Sequence, residues 1–126
     1  MKFQPDTFAG TNAISRHEPG VVWVNSQRFE GSLLVPWKGD VQIWSAVDHA
    51  TLAARHFEEV LALRPELVIF GSGSRLRFVS AALYRALIDA RIGLETMDSA
   101  AACRTYNVLA AEGRSVVAAL LAASVG

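Results

Sequence analysis

The run Leu67-Val68-Ile69-Phe70, followed at once by Gly71-Ser72-Gly73, constrains this chain more than any other stretch. Four apolar residues without polar alternation suit a strand buried on both faces, as in a parallel sheet. Such a strand needs helices on either side, and the flanking sequence supplies them. Upstream, Leu52, His56, Val60 and Leu63 recur at helical spacing, and Phe57 and Leu61 widen the stripe. Arg55, Glu58 and Glu59 fall on the opposite side, and Pro65 closes the helix. Downstream, Ser80 to Arg91 reads as a second helix with Ala82, Leu83, Leu87 and Ile88 inward and Gly93 as its stop. Leu94 to Met97 reads as the next strand. Ser99 is predicted to cap a third helix that runs to about Glu112, where Gly113 ends it. Alanines after Arg114 favour helix, but Val116-Val117 directly after a glycine stop favours a strand over 115–121. Val68, Phe70, Leu83, Leu87 and Leu109 are the expected core. The alternation of helix and strand indicates an α/β layered domain.

Ahead of residue 47 the pattern is that of strands. Asn12 to His17 and Val21-Val22-Trp23-Val24 read as hairpin arms around the turn signal Pro19-Gly20. Gln27 to Val35 reads as a third strand, Pro36 to Asp40 as a turn, and Val41 to Trp44 as a fourth strand. The first third is therefore an expected antiparallel meander. Trp23 and Trp44 are expected in its core. Trp37, in the turn, is expected to be exposed and to mark a contact surface.

The bulk numbers exclude several classes. At 126 residues the chain is one domain of ordinary size, taken here as 1–126. Lys plus Arg and Asp plus Glu are 12 each, so no basic excess favours nucleic acid. Three His and one Cys cannot build a Cys-rich zinc site or a disulfide framework, and no His pair has metal-ligand spacing. No metal or cofactor is expected. No apolar run is long enough to span a membrane, and the first residues lack the apolar stretch of a signal peptide. The single Cys103 fits a reducing compartment, so the cytoplasm is expected.

Two segments could carry chemistry. The loop Gly71-Ser72-Gly73-Ser74-Arg75 lies where α/β proteins bind ligands, and Arg75 and Arg77 could add charge for an anion. Leu76 stands where a dinucleotide fingerprint needs glycine, and the Gly-Lys-Ser/Thr of a P-loop is absent. The signal is weak, and a tight turn needing positive φ is the favoured account of the loop. The second segment is the helix bearing Cys103, Arg104 and Asn107. Cys103 lies beyond the first turn, where the dipole fades, and reads as a small buried hydrophobe before it reads as a nucleophile. Asn is a poor helix-interior residue, so Asn107 should have a specific partner. Two accounts stay open: Arg104 and Asn107 make structural bonds, or both face the Gly71–Gly73 loop as an anion-accepting corner. Glu112 and Arg114 flank Gly113 and suggest a local ion pair between helix end and next strand.

Cys103-Arg104-Thr105-Tyr106-Asn107-Val108-Leu109, followed by Glu112-Gly113-Arg114, resembles the signature of the Mth938-like domain family, also called DUF498. Arg64-Pro65-Glu66-Leu67 leading to Phe70-Gly71-Ser72-Gly73 agrees, as does Gly93 to Asp98. Phe29-Glu30-Gly31-Ser32 and Trp44 fit more loosely. Ser99 stands where the family usually has Thr. The resemblance covers about residues 12 to 122. It implies a three-layer α/β fold, a mixed central sheet with helices and an added N-terminal antiparallel β layer. The family includes small prokaryotic proteins, a mitochondrial assembly factor of respiratory complex I and an adipogenesis-associated cytosolic protein. It supplies no settled catalytic residues. The expected function is a non-enzymatic interaction or assembly role with a protein partner. The alternative is an anion-binding protein or enzyme that uses the Gly71–Arg77 loop and the Cys103–Asn107 helix. Its candidate ligand residues are Gly71, Gly73, Arg75, Cys103, Arg104, Asn107, Glu112 and Arg114.

Overall fold

A computed structural model of the chain describes residues 10–122. Its strands fall into two sheets. Strands β1 (Ile14–Glu18), β2 (Val21–Val24) and β3 (Gln27–Glu30) form an antiparallel meander. The second sheet holds β4 (Leu33–Pro36), β5 (Gln42–Ile43), β6 (Leu67–Gly71), β7 (Gly93–Met97) and β8 (Val116–Leu120), in the order β5-β4-β8-β6-β7. β7 and β8 run parallel to β6, whereas β4 runs antiparallel to β8 and β5, so the sheet is mixed. The helices are α1 (Ala54–Leu61), α2 (Arg85–Asp89) and α3 (Ser99–Ala111).

The strand alternation of β8 explains the layering. Val116, Ala118 and Leu120 face one core, and Val117, Ala119 and Leu121 beyond it face the other. The first core also takes Ala102, Cys103, Tyr106 and Ala110 from α3 and Val22 and Val24 from the meander. The second takes Phe57 and Val60 from α1 and Leu87 from α2. Three layers result: α1 and α2, the mixed sheet, then α3 beside the meander. The small alanines of β8 let both covering layers approach the central strand.

The third expected strand, Gln27 to Val35, is two strands in different sheets. Gly31 adopts φ +87°, a left-handed conformation that suits glycine, and the chain changes sheet there. Ser32 holds the corner. Its carbonyl accepts from the Trp44 N–H (3.1 Å), and its hydroxyl accepts from the Ala122 N–H (2.8 Å). The expected fourth strand shortens to Gln42–Ile43.

The helices differ from expectation mostly at their ends. α2 starts five residues late, because Ala81 to Tyr84 form turns and Tyr84 offers no side-chain cap. Only Leu87 of α2 is buried. Ala82 and Ile88 are exposed instead of inward. The chain stops α2 at left-handed Arg91 (φ +61°), leaving Gly93 as the first residue of β7. Asp98, not Ser99, caps α3: its carboxylate accepts the Ala101 N–H at 2.9 Å. Val68, Phe70 and Leu87 are fully buried, whereas Leu83 and Leu109 are half-buried at the edges of the two cores.

The second core is rich in aromatics. The Phe57 ring meets Trp44 and Phe70 edge-on at 5.9 Å each and Tyr84 at 6.2 Å. The Trp44 indole N–H donates to the His56 carbonyl at 3.0 Å, which ties the strand region to α1. Trp23 takes the other side of its strand. It lies half-buried outside the core, with the Arg16 guanidinium 4.5 Å and that of Arg28 6.0 Å from its ring centre. Trp37 is half-buried instead of exposed. Its indole N–H donates to the Ala110 carbonyl at 3.2 Å, and Lys38 Nζ sits 4.5 Å over its ring.

Candidate functional site

Two polar side chains of the α3 motif, Tyr106 and Asn107, are joined to the N-terminal strands. Asn107 treats β1 as a strand would. Its Oδ1 accepts the Ile14 N–H and its Nδ2 donates to the Ile14 carbonyl, both at 2.8 Å. The buried Tyr106 hydroxyl points between the Asn12 carbonyl (3.0 Å) and the Pro36 carbonyl (2.9 Å). The Asn12 amide donates to the Pro36 (2.9 Å) and Gly39 (2.8 Å) carbonyls and accepts from Asn25 (2.9 Å). Asn25 occupies the left-handed two-residue turn between β2 and β3. One network of amides and a phenol therefore fastens α3, the meander and the end of β4. Asn107 faces Ile14 and does not reach the Gly71–Gly73 loop. Arg104 is exposed and makes no ion pair among the described residues.

The loop after β6 is held by its own bonds. The Ser72 N–H donates to the Met97 carbonyl (2.9 Å), and the Gly73 N–H donates to the Ser99 hydroxyl (3.0 Å). The Ser72 hydroxyl accepts from the Arg77 N–H at 2.9 Å. These amides are thus taken up by protein oxygens. Gly71 is a point of close approach. A Cβ there would lie 2.8 Å from Leu120 Cδ2, 3.0 Å from Ser99 Oγ and 3.2 Å from Ala102 Cβ. Gly71→Ala should destabilise the domain by about 1–2 kcal/mol by overpacking, read as a lower urea midpoint with unchanged slope. An unshifted midpoint would mean that α3 moves away freely.

The other expected ligand residues do not converge. Arg75 is exposed in the loop. Arg114 pairs with Glu66 at 3.1 Å, not with Glu112, which stands at the end of α3. Glu66 also accepts the Ser115 N–H at 3.1 Å. These bonds hold the Glu66 carboxyl below its usual range. Among the described residues no cluster of three or more His, Cys, Asp or Glu could hold a metal ion.

Gly73 and Cys103 do come together. They line a cavity of about 320 Å³ between the β1–β2 turn, the loop after β6 and the first turns of α3. Val21 and Val22, Ala100, and Leu120 and Leu121 supply carbon walls. Cys103 is 2% exposed. Burial pushes its thiol up to about 11, against a weak opposing pull from Arg104. Such a thiol is almost wholly protonated near neutrality and is a poor nucleophile. A second cavity, about 270 Å³, is lined by Asp48, His49, Ser72 and Arg77 and shares Leu121 and Ala122 with the first. His49 Nε2 lies 2.8 Å from the Phe78 carbonyl there. The sequence singled out the loop after β6 and the Cys103 helix, but not the β1–β2 turn or the Asp48–His49 segment that complete the two cavities.

The raised thiol has a stability consequence. Between about pH 9 and 11 the unfolded chain loses the Cys103 proton and the folded domain keeps it, so stability falls as pH rises through that window. The Tyr106 hydroxyl, also raised by burial, extends the loss at higher pH. Denaturant melts at pH 8, 9.5 and 10.5 should show the decline, and Cys103→Ala should flatten its first part. A decline equal in both proteins would assign it elsewhere.

A mixed sheet covered by two helices on one face, and by a helix and an antiparallel sheet on the other, defines a three-layer Mth938-like α/β domain. The chain belongs to the family described as protein of unknown function (DUF498/DUF598), which it matches over residues 14–121. A crystal structure of a Bordetella parapertussis protein is similar at a TM-score of 0.84 and 34% identity, covering 90% of this chain and 97% of that one. The solution structure of a Mth938-like domain from Bordetella pertussis is similar at 0.82 and 28%, covering 99% and 96%. The bovine protein named NADH dehydrogenase [ubiquinone] 1 alpha subcomplex assembly factor 3 is 31% identical over 100 residues, 78% of this chain and 54% of that relative. The chain thus spans about half the length of that assembly factor. No helix among the described residues is long and apolar enough to cross a membrane.

Proposed function

We propose that this chain is a non-catalytic protein-interaction domain of the assembly-factor type that works in the cytoplasm. The observation that carries the reading is its 31% identity to a protein named as an assembly factor of NADH dehydrogenase. Two features of the site support it. The Tyr106 and Asn107 side chains of the α3 motif are engaged in internal bonds, and the one thiol is buried, its protonated form favoured. The partner in this reading is a subunit or subassembly of NADH dehydrogenase. Phe78, whose carbonyl meets His49, is 73% exposed, and Val47, two residues before His49, is 67% exposed; both are apolar side chains open to a partner. The test is a deletion strain of the host combined with capture on the tagged full chain. Deletion should lower the amount of assembled NADH dehydrogenase on native gels, and its subunits should co-purify. Phe78→Asp should reduce the capture. An unchanged amount of assembled enzyme rejects the reading.

The alternative is an anion site on the Gly71–Arg77 loop. The second cavity, where Ser72, His49 and Arg77 meet, favours that reading. Calorimetric titration with inorganic phosphate, compared with Arg77→Ala, tests it: a heat of binding lost in the variant supports the site, and its absence in both rejects it.

A further inference from the structure

We propose that the cavity over Cys103 is a binding site for a small, uncharged, largely apolar molecule. Its volume, about 320 Å³, falls in the range of about 300–1,000 Å³ typical of small-molecule sites. Apolar cavities of about 150 Å³ already hold benzene, because a dry void forfeits dispersion contacts and offers water no partners. Here the walls are mostly carbon, and the polar groups near them are largely engaged. The Asp98 carboxylate caps α3, and the Ser99 hydroxyl accepts from Gly73. Glu18 pairs with Arg16. The Cys103 thiol on the wall is free and buried and suits a soft apolar neighbour.

Charge selects the class further. Among the described residues, Glu18 and Asp98 line the cavity, His17 is its one basic side chain, and no Lys or Arg lines it. An anion entering this space would lose water and meet the Asp98 and Glu18 carboxylates, while the nearby guanidiniums stay off the lining: Arg16 is paired with Glu18 and Arg104 is exposed. A neutral molecule escapes that cost. Pro19 and Gly20 of the β1–β2 turn and Ala100 of α3 all belong to its lining. The inference does not depend on the assembly-factor reading, since neither Val47, His49 nor Phe78 lines this cavity.

The probe pair is 1-octanol and octanoate, which share a chain and differ in charge. Amide NMR of the full chain, titrated with each, reads the site directly. With 1-octanol, saturable shifts should appear at Val22, Ala100, Cys103 and Leu120. Octanoate should bind at least about tenfold more weakly, since its carboxylate meets those of Glu18 and Asp98. Ala100→Trp, which fills the cavity from the surface of α3, should abolish the shifts, and the remote Val108→Trp should leave them intact. The spectrum of each variant reports whether it is folded. Cys103→Leu narrows the same space from the wall and provides an independent second variant. Absent or non-saturable 1-octanol shifts overturn the proposal. So does octanoate binding as tight as that of the alcohol, or affinity retained in both filling variants.

Discussion

Phe57→Ala should destabilise the domain by about 3–5 kcal/mol, the usual cost of removing a fully buried aromatic ring. Phe57 is 0% exposed and stands where α1 meets the sheet. Its ring has three edge-on aromatic neighbours, Trp44, Phe70 and Tyr84. Each such pair adds about 0.5–1.5 kcal/mol beyond area burial. Collapse around the gap is limited, because Phe70 lies on a central strand and Trp44 is tied to the His56 carbonyl. Against a typical domain stability of about 5–15 kcal/mol the loss is large. Urea unfolding followed by tryptophan fluorescence reads it, with Trp44 as a local probe. Phe57→Leu should recover more than half of the loss by refilling volume without the ring geometry. A cost below about 1 kcal/mol for the alanine variant would show that the cluster is loosely packed.

Asn107→Ala should cost about 2–3 kcal/mol. The substitution leaves the N–H and the carbonyl of Ile14 without their partners, and each partly buried orphan costs about 1–3 kcal/mol, discounted here for some access of water. Arg104→Ala, three residues away on the exposed face, should stay within about 0.5 kcal/mol. The contrast separates the two accounts of these residues. Phosphate should not alter either value. Equal effects at both positions, or a phosphate-dependent shift at Asn107, would contradict the bonding to Ile14. Hydrogen exchange gives a second readout: β1 amides should lose protection in Asn107→Ala while β6 amides keep theirs.

The sequence was most readable where burial is two-sided or periodic. The apolar run at 67–70 marks β6, and Val116-Val117 after Gly113 marks β8, although alanines argued for helix there. Strand pairing between β4 and β6 overrode that propensity. The resemblance carried in Cys103 to Arg114 identified the family before any geometry was known. What could not be read depends on long-range partners. Gln27 to Val35 looks continuous, since a change of sheet at Gly31 leaves the alternation intact on both sides. Trp23 and Trp37 could not be sorted by type alone: one stacks with arginines, and the other finds a carbonyl on α3. Asp98 and Ser99 are both good caps, and only the Gly73 N–H decides which does what. The signature Tyr106-Asn107 was visible as an oddity within a helix. Its purpose was not, because Ile14 lies 93 residues away.

The position of β8 bears on how the chain comes off the ribosome. Among the described residues β8 is the last strand in chain order, and it sits in the middle of its sheet, between β4 and β6. β4 emerges early, yet its long-range partner is not synthesised until residue 120. At about 5–20 residues per second, β4 waits on the order of five to fifteen seconds with one edge open. Its residues Leu33, Leu34 and Val35, all fully buried in the finished domain, are then an uncovered apolar stretch. A nascent chain released before β8 therefore holds two halves of a sheet with no seam between them. Such a product is a client for holdase chaperones and a target for quality-control proteases, whereas the full-length domain closes the seam in a single step.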